Sequence, residues 1–121
     1  MTDNEKITIL QNLIQIESVN DHEEKVADYI SSLFEPYSDQ VQIKKVPFAE
    51  GRTNLVVTMG NKAGKHLGFS GHMDVVDPGN VDEWQHGPFS GDVDAEAGKL
   101  FGRGASDMKS GLAAAVIIML E

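Results

Sequence analysis

Leu67-Gly68-Phe69-Ser70-Gly71-His72-Met73-Asp74-Val75-Val76 is the stretch on which the reading of this chain turns. It opens apolar, as a buried strand does, and then delivers a histidine and an aspartate two residues apart. Side chains of an extended chain alternate between faces, so residues i and i+2 point the same way. The imidazole of His72 and the carboxylate of Asp74 are therefore neighbours. A neutral imidazole is a common metal ligand, and its second ring nitrogen usually donates to a carboxylate that fixes tautomer and orientation. In this reading His72 is the ligand and Asp74 its orienter. Gly71 leaves room beside the histidine, and Asp77-Pro78-Gly79-Asn80 turns the chain just beyond. An ordinary capped strand end has the same pattern, so the pair needs a second element.

The chain is 121 residues long, which is enough for one small domain with its own core. Its net charge of -9 argues against nucleic acid and against anionic membrane surfaces, both of which call for a basic face. That charge suits cation binding, although most of the carboxylates are expected on a solvated surface. Cysteine is absent, so disulfides and thiolate zinc sites are excluded, and any metal must be held by nitrogen and oxygen. The start, Met1-Thr2-Asp3-Asn4-Glu5-Lys6, has no apolar leader, which reads as a cytoplasmic protein. Leu112 to Leu120 is the longest apolar run and is too short to span a bilayer.

Along the chain, Thr2 or Asp3 caps a first helix reaching about Ile16. Ile7, Leu10, Leu13, Ile14 and Ile16 form its apolar face. Ser18-Val19-Asn20 breaks it. Asn20 and Glu23 are spaced as a capping box for a second helix, with Val26, Tyr29, Ile30, Leu33 and Phe34 on the buried side and Pro36 past its end. Val41–Val46 and Asn54–Met59 read as strands, with a connection over 47–52 between them. A turn at Gly60–Gly64 leads to a third strand, His66–Ser70, as a hairpin would. His22 and His66 read as surface residues. Residues 77–91 are a long loop whose Trp84, His86, Pro88 and Phe89 serve either as a pocket wall or as pins. A short hairpin over 91–102 and a buried helix from Met108 onward complete the pattern. That helix carries no stop signal before Glu121, which reads as a chain cut from a larger protein.

The second element is Asp107, placed between a glycine-rich turn and the last helix. A helix N-cap explains it without any chemistry. A dinucleotide fingerprint at Gly102-Arg103-Gly104 does not, because that pattern needs glycine where Asp107 stands, and a carboxylate repels a pyrophosphate. The remaining reading joins Asp107 to His72 at the rim where open α/β sheets build their sites, with its carboxylate able to bridge two metals.

Gly71-His72-Met73-Asp74-Val75-Val76, then Trp84, Pro88-Phe89 and Gly98 through Gly111 resemble the zinc-dependent exopeptidase and deacylase family, whose members include desuccinylases, deacetylases and dipeptidases. The resemblance is nearest to the succinyl-diaminopimelate desuccinylase and acetylornithine deacetylase branch. It implies an α/β fold, with residues 1–121 as the N-terminal portion of a three-layer α/β/α metallohydrolase catalytic domain. It implies two divalent ions, zinc or cobalt, with His72 ligating one, Asp107 bridging both, and Asp74 the acidic residue that orients His72. It implies a cis bond after the bridging aspartate, here Asp107-Met108. The general-base glutamate and the remaining ligands are expected some thirty residues and more beyond Asp107, outside this sequence. The implied reaction is hydrolysis of a small N-acyl amino acid, N-succinyl-diaminopimelate above all, by a parent that is a homodimer, with neither nucleic acid nor membrane as partner. A deacetylase or dipeptidase of the same family, or a non-catalytic binding module, are the alternatives, and this fragment alone is expected to be inactive.

Overall fold

The computed structural model describes residues 1–61 and 63–121. Helix α1 spans Asp3–Gln15. Thr2 is the cap of the two offered by the sequence. Its hydroxyl accepts from the Glu5 amide at 3.3 Å, while the Glu5 carboxylate accepts from the Thr2 amide at 2.6 Å. This reciprocal box satisfies two amides that the helix start leaves free. The buried stripe is Ile9, Leu13 and Ile14, and Ile7 is exposed instead.

Helix α2 is Glu24–Phe34, and Val26, Ala27, Ile30 and Phe34 are its buried residues. It does not start on an Asn20 capping box. The Asn20 amide is taken by the carbonyl of Val75 at 3.1 Å, and Glu23 turns its carboxylate to Arg52 instead, at 2.8 Å. The free Glu24 amide is satisfied by the Gly51 carbonyl, 3.1 Å away in the next turn of chain.

Strands β1, Val41–Ala49, and β2, Arg52–Met59, pair antiparallel from Val41↔Met59 to Ala49↔Arg52, with an irregularity between Pro47 and Ala49. The expected connection over 47–52 is thus mostly strand. Only Glu50 and Gly51 turn the chain, and Gly51 has a φ of +70° that a side chain disfavours. Arg52 then bridges to Asp21 and Glu23, tying the hairpin to the start of α2.

His66–Ser70 is not a strand: it pairs with no ladder among the described residues, and Leu67 is 83% exposed. A strand needs a neighbour's donors and acceptors, and none of the described residues offers them here. The turn expected at Gly60–Gly64 includes residue 62, which lies outside the described residues. Beyond it, Val75 forms a parallel bridge with Val19, and the Ser18 hydroxyl donates to the Met73 carbonyl at 2.8 Å. Ser18–Asn20, expected only as a break, anchors the segment that carries His72 and Asp74.

A two-residue hairpin follows as expected, β3 Val93–Asp94 against β4 Lys99–Leu100. Residues Ala105–Lys109 make one wide turn containing the expected cis Asp107-Met108 bond, and α3 runs Ser110–Leu120. Helix α3 therefore starts after Lys109 rather than at Met108, because Asp107 and Met108 are non-helical. It is not buried all round: Ala113 and Val116 are buried, but Ile118 is 60% exposed. Among the described residues, only one of its sides is buried against neighbours. That side joins Ile9 and Leu13 of α1 and Val26, Ile30 and Phe34 of α2 in one apolar cluster. Full burial of each large side chain there contributes about 1.5–3 kcal/mol. Helices and hairpins are mixed as expected of an α/β fragment. No helix among the described residues is long and apolar enough to cross a membrane.

Candidate metal site

His72 sits on extended, unladdered backbone three residues before the Val75 bridge. The alternation read from the sequence holds there. The Nδ1 of His72 lies 3.0 Å from the Asp74 carbonyl and 3.2 Å from its carboxylate Oδ1. Its Nε2 lies 2.9 Å from Oδ1 of Asp107, across 35 residues of sequence. The structure thus brings together the three residues singled out in the sequence. Asp107 is not a helix cap, since α3 starts at Ser110 after a residue with no side-chain cap bond. Its carboxylate is 89% exposed, with lone pairs open to solvent.

These contacts constrain the protons. If Nδ1–H donates to Asp74, the neutral imidazole has only a lone pair at Nε2. That lone pair then faces a carboxylate oxygen, an arrangement that repels unless a cation or a proton lies between them. The hydrogen bond to Asp107, more than the Asp74 groups, holds the His72 pKa above its ordinary value, against the opposing effect of burial.

A metal ion meets the same demand. Two atoms bonded to one tetrahedral zinc at about 2.0–2.2 Å lie roughly 3.3–3.6 Å apart, so the 2.9 Å pair would open by a few tenths of an ångström to admit one. The donor types are those a cysteine-free protein has available. The number is short, however: among the described residues no group of three or more histidines and carboxylates is placed to hold an ion. The residues fit part of a metal site.

Several residues that place this pair were not singled out in the sequence. Lys109 is fully buried, and its Nζ donates to the carbonyls of Leu13 at 2.6 Å and Ile16 at 2.8 Å. These are orphan acceptors at the end of α1, so a cation two residues from Asp107 is bound to a helix C-terminus. Burial pushes the Lys109 amine down to about 8. The signal available was a lone cation at the head of an apolar run.

Met108 fills the space beside Gly71. A Cβ on Gly71 would lie 2.9 Å from the Met108 methyl, and the Met108 sulfur accepts from the His72 amide at 3.3 Å. The glycines of the turn serve close packing. A Cβ on Gly102 would come within 2.3 Å of Ile14, and one on Gly104 within 2.3 Å of Val75. This is why the turn resembled a phosphate loop without being one.

The site opens into a cavity of about 430 Å³, lined by His72, Asp74 and Asp107 at one side and by Trp84, Phe101 and Arg103 at the other. Trp84 serves both roles left open in the sequence: it walls the cavity, and its indole N–H pins the loop by donating to the Pro78 carbonyl at 3.0 Å. His86 stacks on Phe101 with centroids 3.9 Å apart and pairs with Asp92 at 3.0 Å. His22 is exposed and bonded to backbone carbonyls, and His66 is exposed, as expected of surface residues.

His72 and Asp107, 2.9 Å apart at the edge of the cavity, are donor types that can share a cation. Residues 68–121 match Peptidase family M20/M25/M40. It is 42% identical over 120 residues to the probable succinyl-diaminopimelate desuccinylase of Staphylococcus aureus strain Mu50, covering 99% of this chain and 29% of that protein. To the protein of the same description in Staphylococcus epidermidis strain RP62A it is 43% identical over 121 residues, covering 100% of this chain and 29% of that one. To the succinyl-diaminopimelate desuccinylase of Rhodopseudomonas palustris strain BisB5 it is 53% identical over 75 residues, 62% of this chain and 19% of that protein. The chain thus spans under a third of the length of the curated relatives it matches.

Proposed function

We propose that this chain supplies part of the metal site of an amide hydrolase that removes an N-acyl group from a small amino acid, with N-succinyl-diaminopimelate as the substrate. The observation that carries the reading is the Nε2 of His72 facing Asp107 at 2.9 Å while Asp74 holds Nδ1. His72 and Asp107 would hold metal, with Asp107 as the bridge between two ions and Asp74 as the group that orients the imidazole. Zinc or cobalt in that place supplies Lewis acidity toward the amide carbonyl and lowers the pKa of water. The chain's own part would be to orient the imidazole through Asp74 and to present the exposed Asp107 carboxylate.

The names of the relatives support the desuccinylase reading over deacetylase and dipeptidase. Residues 1–121 would form a portion of a larger three-layer α/β/α catalytic domain in a cytoplasmic, homodimeric enzyme, and the further ligands and the general base would come from outside this sequence. The test has two arms. Calorimetric titration of the 121-residue chain with zinc should show weak binding that His72→Ala weakens further, since a catalytic zinc normally has three protein ligands. Zinc binding indifferent to His72→Ala would overturn the site. A full-length protein containing this chain should hydrolyse N-succinyl-diaminopimelate faster than N-acetylornithine or dipeptides, and the reverse order would overturn the substrate.

A further inference from the structure

Arg103 stands apart among the cations of this chain. Lys25, Lys44, Lys65 and Lys99 make no ion pair among the described residues, but they are exposed and solvated by water, whereas several other cations are paired. Arg52 has Asp21 and Glu23, Lys45 has Asp28, and Lys6 has Glu121. Lys109 has two carbonyls. Arg103 is half-buried, yet its guanidinium makes no ion pair and no hydrogen bond among the described residues, and its Nε is buried without an acceptor. It is also held in place. Its backbone amide donates to the Pro88 carbonyl at 2.6 Å, and its guanidinium carbon lies 5.0 Å from the centroid of the Trp84 ring. That ring is itself fixed through Pro78.

A guanidinium with its Nε buried and no counter-charge carries a desolvation cost, and one that lines the cavity holding His72 and Asp107 is placed to receive its counter-charge from a ligand. A guanidinium over an indole face keeps a cation–π contact while its N–H groups remain without acceptors, and their fork matches a carboxylate. We infer that Arg103, backed by Trp84, is an anion anchor that binds a carboxylate of the molecule entering this cavity. The inference deepens the proposed function, because an acyl amino acid carries carboxylates, but the anchor is defined without any metal and can be tested without one.

The carboxylate could belong to the acyl group or to the amino acid. N-methylsuccinamate carries only the first and N-acetylalanine only the second, while succinamide is their neutral counterpart. Trp84 is the single tryptophan of the chain, so indole fluorescence reports directly on the anchor. In chelator-treated, metal-free protein, at least one of the two anions should give a saturable change in that fluorescence, and succinamide should not. The anion that binds more tightly identifies the source of the carboxylate. Arg103→Gln should weaken binding at least about tenfold, and Arg103→Lys should retain part of it, since the charge remains but the fork is lost. The comparison with succinamide needs no variant, so it stands even if Arg103→Gln does not fold. No saturable change with either anion, an equal response to succinamide, or undiminished affinity in a folded Arg103→Gln protein would each overturn the anchor. Zinc binding that fails while anion binding succeeds would overturn the proposed metal site and leave the anchor intact.

Discussion

The chain up to Met59 and the chain from Ala63 to Lys109 are held by different means. The first part has two α-helices and a hairpin with strands of nine and eight residues, with Leu13, Ile14, Val26 and Ala27 completely buried. Its order comes from apolar area removed from water, which needs only residues of about the right size on the right face. The second part has one two-residue hairpin and a single bridge. It is held by individual backbone bonds to the first part, by glycines that let chains approach closely, and by one buried lysine. All three residues of the candidate metal site lie in this second part. A site needs its donors at given distances, and point contacts set distances more sharply than a broad apolar face does.

Three substitutions test that contrast. Leu13→Ala should have the largest effect, a loss of about 2–5 kcal/mol, because it removes a fully buried side chain where the three helices meet. Denaturant unfolding measures it, and a cost below about 1 kcal/mol would mean that the first part is not held by its core.

Gly104→Ala should cost about 2–3 kcal/mol, since its new Cβ would press on Val75 at a φ of +79°. Here the local signature matters more than the total. Val75 follows Asp74, so the imidazole resonances of His72 should shift even under conditions where the variant is fully folded. Unchanged His72 resonances would break the link drawn between glycine packing and the site.

Lys109→Met should have the smallest effect, about 1–2 kcal/mol. It keeps most of the buried volume and strips two acceptors at the end of α1 of their donor, while relieving the desolvation of a cation. Zinc affinity should fall together with stability, because the turn holding Asp107 loses its tie to α1. Zinc affinity equal to that of the unsubstituted chain would show that the tie does not position Asp107.

Where the sequence misled, a partner was involved. Asn20 and Glu23 have capping-box spacing, but Val75 and Arg52 compete for them and win. His66–Ser70 has a strand's composition, but strand formation depends on a neighbour's ladder, and none of the described residues supplies one. Helix α3 is apolar on every side, yet packing reaches only one side. Pro47 suggested a break in β1, but the strand runs through it to a tight turn at Gly51.

The sequence by itself determined what short-range geometry dictates. Capping at Thr2, the helical periodicity of α1 and α2, and the short hairpin around 93–100 are all properties of neighbouring residues. So is the pairing of His72 with Asp74, because two residues of extended chain bring side chains back to the same face. The tertiary structure alone decided the rest of the site. Asp107 meets His72 across 35 residues, Lys109 reaches α1 across more than 90, and Gly104 touches Val75 through a gap that only the folded chain defines. Sequence patterns carry residue types and local periods; contacts over those separations exist only once burial of the core has brought the segments together.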